Sequence, residues 1–195
     1  SWMWKRAKGY MDVVAYSGTG SATTVAHSLS VIPELLICKR RSATEDWTVY
    51  SSTSGASYYL NLNNNQAVGG SSNIWNDTAP TSTVFSVGTS SRVNSSGQTY
   101  VAFLFATLAG ISKVGSYTGT GSNINVDCGF SAGARFILIK RTDATGDWYL
   151  YDTLRGIVAG ADPFLKLNTT DAQDEGNDGI DPLSSGFIVT SGSGN

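Results

Sequence analysis

The stretch Phe136-Ile137-Leu138-Ile139-Lys140-Arg141-Thr142-Asp143-Ala144-Thr145-Gly146-Asp147-Trp148-Tyr149-Leu150-Tyr151 repeats Leu35-Leu36-Ile37-Cys38-Lys39-Arg40-Arg41-Ser42-Ala43-Thr44-Glu45-Asp46-Trp47-Thr48-Val49-Tyr50 at a fixed offset of 101 residues. No other feature narrows the fold as far, because a chain that carries one stretch twice is built from copies of one unit. The same offset joins Tyr16 to Tyr117, Gly18 to Gly119, Gly20 to Gly121 and Lys39 to Lys140. Residues 16–50 and 117–151 are identical at 14 of 35 positions. Each copy reads as an apolar strand ending in Lys-Arg, a short polar turn, and a second strand that opens with Asp-Trp, which is a hairpin pattern.

Downstream the copies drift and rejoin: Leu60-Asn61-Leu62-Asn63 answers Leu165-Lys166-Leu167-Asn168, and Val84-Phe85-Ser86-Val87 answers Gly186-Phe187-Ile188-Val189. The length differences fall in polar connections, where insertions are tolerated. Solenoid repeats run roughly 20 to 50 residues, so a period of 101 residues is domain-sized instead. No stretch carries good helical periodicity. The aromatic and β-branched run from Tyr100 to Ala109 favours a strand. The pattern therefore predicts an all-β fold of two tandem antiparallel β-sandwich domains, residues 9–109 and 110–195. Residues 1–8 form a separate piece. Trp2-Met3-Trp4-Lys5-Arg6-Ala7-Lys8 falls, at the common offset, on Phe103-Leu104-Phe105-Ala106-Thr107-Leu108-Ala109. It reads either as the closing strand of a preceding copy in a longer array or as a donor strand completing the second copy, which stops before its equivalent of Gln98–Ala106.

Charged residues make up 14% of the chain, and Ser, Thr, Asn and Gly take their place on the surface, as in β-rich extracellular or virion proteins. A net charge of −2 excludes nucleic acid as an expected partner, since phosphate binding draws on a cluster of Lys and Arg. The longest apolar run is shorter than the ~18 residues of a membrane span, and Ser1 opens no signal peptide. Cys38 aligns with Ile139 and Cys128 with His27, so the cysteines read as small apolar side chains, which fits assembly in a reducing cytoplasm.

Trp47 and Trp148 recur at one repeat position and read as structural anchors pointing into each core. Residues 51–82 are rich in Ser, Asn and Gly, with Tyr58, Tyr59 and Trp75 among them. Ring stacking and amide hydrogen bonds make these three the candidate glycan-binding residues. The acidic run of the second copy offers Asp174, Glu175, Asp178 and Asp181 as oxygen ligands for calcium, although the spacing is not that of an EF-hand. His27 is the only histidine, and Glu34, Glu45 and Glu175 are the only glutamates. No triad, carboxylate pair or zinc cluster takes shape from them, so the expected role is non-enzymatic. The Gly-x-Gly turns lack the third glycine and the βαβ context of a nucleotide site.

Tyr-[Ser/Thr]-Gly-Thr-Gly-Ser, the strand into Lys-Arg, the Asp-Trp strand and Asn94-Ser95-Ser96-Gly97-Gln98-Thr99-Tyr100-Val101-Ala102-Phe103-Leu104-Phe105-Ala106 resemble repeats of bacteriophage virion and tail-fibre-like proteins. That resemblance implies a concanavalin A-like (laminin G-like) jelly-roll sandwich. It also implies a structural or adhesion module of a virion appendage, synthesised in the host cytoplasm. Its partners would be other virion or fibre subunits, including copies of itself, and host surface glycan. The alternatives are a carbohydrate-binding module of a secreted or cell-surface protein, and a purely structural filament or spacer subunit.

Overall fold

The computed structural model describes residues 3–191. Their secondary structure is all-β, with antiparallel sheets and two helices of four residues each. The chain divides into two compact units, Ser1–Leu62 with Val68–Leu108, and Asn63–Ala67 with Ala109–Asn195.

In the first unit the elements are β1 (Met11–Ser17), β2 (Thr23–Ala26), β3 (Leu35–Arg40), β4 (Trp47–Ser51), β5 (Tyr58–Asn61), β6 (Gly69–Gly70), α1 (Ser72–Trp75), β7 (Val84–Val87), α2 (Ser91–Asn94) and β8 (Thr99–Phe105). One sheet runs β1-β8-β3-β4-β5-β6, and a two-stranded sheet pairs β2 with β7. Alternation along the strands makes the core: Leu36 and Cys38 of β3, Tyr50 of β4, and Tyr100, Ala102 and Leu104 of β8 project from one face. Val25, Phe85 and Val87 of the two-stranded sheet meet them, and the helices add Ile74, Trp75 and Val93. Each large apolar side chain withdrawn from water there contributes about 1.5–3 kcal/mol.

The other face of the long sheet is also apolar. Val49 is 1% exposed and Leu60 4%, and the Trp47 ring stacks on Phe103 at 6.5 Å with the Lys39 ammonium 5.6 Å from its centroid. Trp47 thus shares the face of Val49, and Tyr50 points into the core. The sequence pattern put the indoles inside. The structure buries Trp148 at 4% exposure, leaves Trp47 half-buried, and places the tyrosines in the two core clusters, because both faces of these strands carry apolar residues and alternation alone does not rank them.

The strand β8 fills the gap between β1 and β3, with Val13↔Phe103 on one side and Ile37↔Phe103 on the other. β1 has no other strand partner among the described residues. The segment leading into β8 also clamps the glycine turn after β1. Asn94, fully buried, accepts from Thr19 N at 2.7 Å and donates to the carbonyls of Ser21 and Gly88, each at 2.7 Å. Gly20 N donates to the Asn94 carbonyl at 2.8 Å. A Cβ on Gly18 would stand 2.2 Å from the Ser95 carbonyl oxygen, so only glycine fits there. At the start of the described chain Trp4 stacks on Tyr10 and sets its edge to Phe105, with ring centroids 6.2 and 5.3 Å apart. Trp2 lies outside the described residues.

In the second unit the strands are β9 (Ile124–Asp127), β10 (Phe136–Lys140), β11 (Trp148–Asp152), β12 (Asp162–Lys166), β13 (Asp174–Asn177), β14 (Ile180–Leu183) and β15 (Gly186–Val189). They form the sheets β10-β11-β12-β13 and β14-β15-β9. The core between them holds Ile137, Ile139, Tyr151, Phe164, Ile180, Phe187 and Val189. Trp148 is 4% exposed but, like Trp47, stands outside the core cluster that its neighbouring tyrosine joins.

The hairpins of the two units match bond for bond. Lys39 pairs with Trp47, and Lys140 with Trp148. Ser52 N donates to the Glu34 carbonyl and Thr153 N to that of Arg135; Leu62 N donates to the Trp47 carbonyl and Leu167 N to that of Trp148. Both lysines turn back to cap the hairpin loop, Lys39 Nζ on the Glu45 carbonyl and Lys140 Nζ on that of Gly146. The units differ at one edge. β10 ends its sheet, whereas its counterpart β3 is covered by β8 and then β1.

Asn94→Ala removes a buried side chain that bonds three backbone groups, the Gly88 carbonyl among them in a buried bond. Leaving such groups unpaired costs about 1–3 kcal/mol each, so urea denaturation should show the first unit destabilised by roughly that amount or more, with the second unit unchanged. Gly18→Ala should have a similar effect through overpacking, about 1–3 kcal/mol.

Candidate functional site

The three candidate glycan residues do not converge. Trp75 ends α1 at 2% exposure, inside the core and edge-on to Tyr50 at 5.9 Å. A buried indole presents no face to a sugar, so Trp75 is a packing residue. Two features put it there: the left-handed turn of Asn76 that ends the helix, and the approach of Gly88, whose absent Cβ lets the Asn73 carbonyl come close. Its Nε1–H finds no acceptor.

Tyr58 and Tyr59 are adjacent in β5 and so point to opposite faces. Tyr59 packs on the core side, beneath the Arg92 guanidinium at 5.2 Å. Arg92 also donates to Asp46 and Asn61, both at 2.9 Å, so this cluster ties α2 to the β4–β5 hairpin. Tyr58 faces outward and is 46% exposed. It is the one of the three whose ring is available for stacking.

The calcium candidates are dispersed as well. Asp174 and Glu175 lie in β13, and Asp181 in β14. Glu175 accepts from Gln173 at 3.1 Å, and Asp181 accepts from Gly160 N at 3.3 Å. Asp178 sits between the two strands with an exposed side chain. Among the described residues no three His, Cys, Asp or Glu side chains gather to hold a metal ion. Asp162, which the sequence pattern did not single out, is fully buried near Asp178 and Asp181. Burial pushes its carboxyl above the usual range. Hydrogen bonds from Val158 N and Ile180 N pull it down, and the two neighbouring carboxylates push it up.

A polar cleft of about 300 Å³ in the first unit opens beside Arg6, Asp12, His27 and Ser28. Asp12 is 3% exposed and stands in the apolar run of β1. Its Oδ1 accepts from Arg6 Nε at 2.6 Å and Val13 N at 2.9 Å, and its Oδ2 from Ser28 N at 2.7 Å. Burial alone would raise this carboxyl. The bonds from Ser28, Val13 and Arg6 outweigh it and hold the group below its ordinary value. His27 donates from Nε2 to the Thr81 carbonyl at 3.2 Å and accepts at Nδ1 from Leu29 N at 3.3 Å. With both ring nitrogens on backbone groups, it ties down the β2 end of the cleft and has none left for a substrate.

Both cysteines are free. The Tyr16 hydroxyl donates to the Val93 carbonyl at 2.7 Å, so the Cys38 thiol is the donor in their 3.0 Å contact. Burial pushes that thiol up to about 12, so it stays protonated.

Two outcomes check these assignments. Trp75→Ala should destabilise the first unit by about 3–5 kcal/mol, as other large core deletions do, whereas Trp75→Phe should cost much less, since it removes a buried N–H that has no partner. For Asp12, a folded value below the unfolded one of about 4 means that its stabilisation is present above that pH and lost as the pH falls through the folded value. The stability difference between the natural chain and Asp12→Asn, about 1–2 kcal/mol at pH 7, should therefore shrink in urea melts toward pH 3.

No curated protein and no solved structure matches this chain. A family model described as a domain of unknown function, DUF7483, matches residues 5–195, and the chain belongs to that family.

Proposed function

We propose that this chain is a non-enzymatic structural and adhesion module of a bacteriophage virion appendage, formed by tandem duplication of one concanavalin A-like β-sandwich. One observation carries the reading: the residues shared by the two units shape backbone or fill cores. Lys39 and Lys140 cap hairpin loops, Tyr50 and Tyr151 enter cores, and Gly18 admits the Ser95 carbonyl. A duplicated enzyme or receptor would be expected to repeat a reactive or recognition group, and the repeat preserves a scaffold. The sparse charge and the Ser, Thr, Asn and Gly-rich surface suit a fibre exposed to the medium.

Contact with host glycan would fall to Tyr58, whose ring is exposed at the β5 edge of residues 51–82. On a glycan array the chain should show saturable binding that Tyr58→Ala reduces at least tenfold and Trp75→Phe leaves intact. Binding indifferent to Tyr58 would move the contact elsewhere, and no binding would leave the spacer role alone. Mass spectrometry of particles purified from the virus that encodes the chain should find it as a virion component. Its absence from particles would end the proposal.

A further inference from the structure

We infer that Arg6 and Asp12 guard the open edge of β1, engaging the backbone donor through which a second copy of this chain would otherwise pair its own β1 edge to edge. The inference concerns the first unit alone and is independent of any role in a virion.

Among the described residues β1 is bonded to a strand on one side only, that of β8. Alternation tells which of its backbone groups stand on the other side. Ala106 N donates to the Tyr10 carbonyl, and Gly18 N to that of Gln98. The even-numbered residues of β1 therefore turn their peptide groups toward β8, and Met11, Val13, Ala15 and Ser17 turn theirs outward. Two of these outward positions are engaged close at hand. Met11 exchanges both of its bonds with Ala7, each at 3.0 Å. Val13 N donates to Oδ1 of the adjacent Asp12 at 2.9 Å. Ala15 and Ser17 follow, and both are exposed.

Such an edge invites pairing. The strand reads Met-Asp-Val-Val-Ala-Tyr-Ser, with one charge in seven residues. The cleft of about 300 Å³ runs beside Val13, Val14 and Ala15 and leaves room for an extended segment. Every copy of the chain carries the same open stretch, so a twofold axis pairs two of them with no further complement. Since the odd-numbered residues face outward, that pairing sets Ala15 of one copy against Ala15 of the other, and Val13 against Ser17. Both copies must then donate from Val13 N, and Asp12 already holds that donor.

The surroundings of Asp12 fit this role. It shares the inward face of β1 with Val14 and Tyr16, which pack on the core. A charge turned inward on an edge strand is one of the ways in which β-proteins prevent edge-to-edge association. Ser28 N, at the end of β2, bonds Oδ2 at 2.7 Å and fixes the carboxyl from behind. Arg6 Nε bonds Oδ1 at 2.6 Å from a side chain that is 60% exposed. Its guanidinium thus stands at the acceptor position of Val13 N, where the carbonyl of an incoming strand would have to lie.

The test follows amide hydrogen exchange of the whole chain over a concentration series, together with sedimentation velocity. In the natural chain, exchange at Val13 and Ala15 should not depend on protein concentration. In Asp12→Ala it should slow with concentration by about tenfold or more, as a few added hydrogen bonds allow, while a dimer appears. Asp12→Asn keeps an acceptor for Val13 N and should associate far less, although it too loses the ion pair. Adding Ala15→Pro to Asp12→Ala removes an outward donor at a position where an edge strand accepts proline, and should abolish the dimer. Arg6→Ala changes an exposed side chain and decides the matter if Asp12→Ala fails to fold: the same amides should slow by about threefold or more, since the carboxylate then holds Val13 alone. Concentration-independent exchange in a folded variant of either residue would overturn the inference. Equal association of Asp12→Asn and Asp12→Ala would do so as well, because lost stability would then be the cause, and so would a dimer that survives Ala15→Pro.

Discussion

The first unit depends on the insertion of β8 between β1 and β3. Seven residues of β8 pair with β1 on one side and six with β3 on the other, so a single strand supplies the hydrogen-bond partners of two others. The peptide groups of a buried sheet must be paired somewhere, and β1 has no other strand beside it among the described residues. The connection into β8 does a second job, since Asn94 reaches back to the glycine turn after β1. A late segment of the unit thereby fixes an early one, and the two ends of the repeat become mutually dependent.

That dependence explains the use of glycine at the turn. Gly18 and Gly97 exchange backbone contacts, Gly97 N donating to the Gly18 carbonyl at 3.0 Å and Gly18 N to that of Gln98 at 2.8 Å. Gly18 takes no left-handed conformation. It is glycine because a backbone carbonyl occupies the space of its Cβ. Gly20 does have positive φ, at 77°, so two glycines in one motif answer two different demands. Two residues before Asn94, Arg92 links α2 to Asp46 and Asn61 while lying on Tyr59. The helix before β8 is therefore anchored to the repeated hairpin as well as to the turn.

The candidate site was legible only in part. Tyr58 and Tyr59 stand on a strand within an otherwise irregular polar region, and their adjacency already sets them on opposite faces. Trp75 gave no such sign. A tryptophan among Ser, Asn and Asp looks exposed locally, yet one short helix and the close approach of Gly88 to Asn73 carry it into the core. Asp12 went unnoticed for the opposite reason: an acid in an apolar β-strand has no local motif. Its partners at Arg6 and Ser28 lie across the cleft, and burial with satisfied hydrogen bonds is a tertiary property.

The sequence by itself determined the all-β class, the repeated hairpin and the places of the tight turns, because offset, alternation and glycine spacing are local and each has a direct backbone meaning. The tertiary structure alone decided which face of each strand became the core. Trp47 with Val49, and Thr48 with Tyr50, are both plausible inward sets by alternation, and only the packing of Val25, Phe85 and Val87 against Tyr50's face selects between them. It also decided how the glycine turn after β1 is clamped, since the clamp comes from Asn94, more than seventy residues away in the chain. Local pattern fixes the set of faces and bends available to a chain. Which of them are buried depends on partners that the chain brings together only on folding.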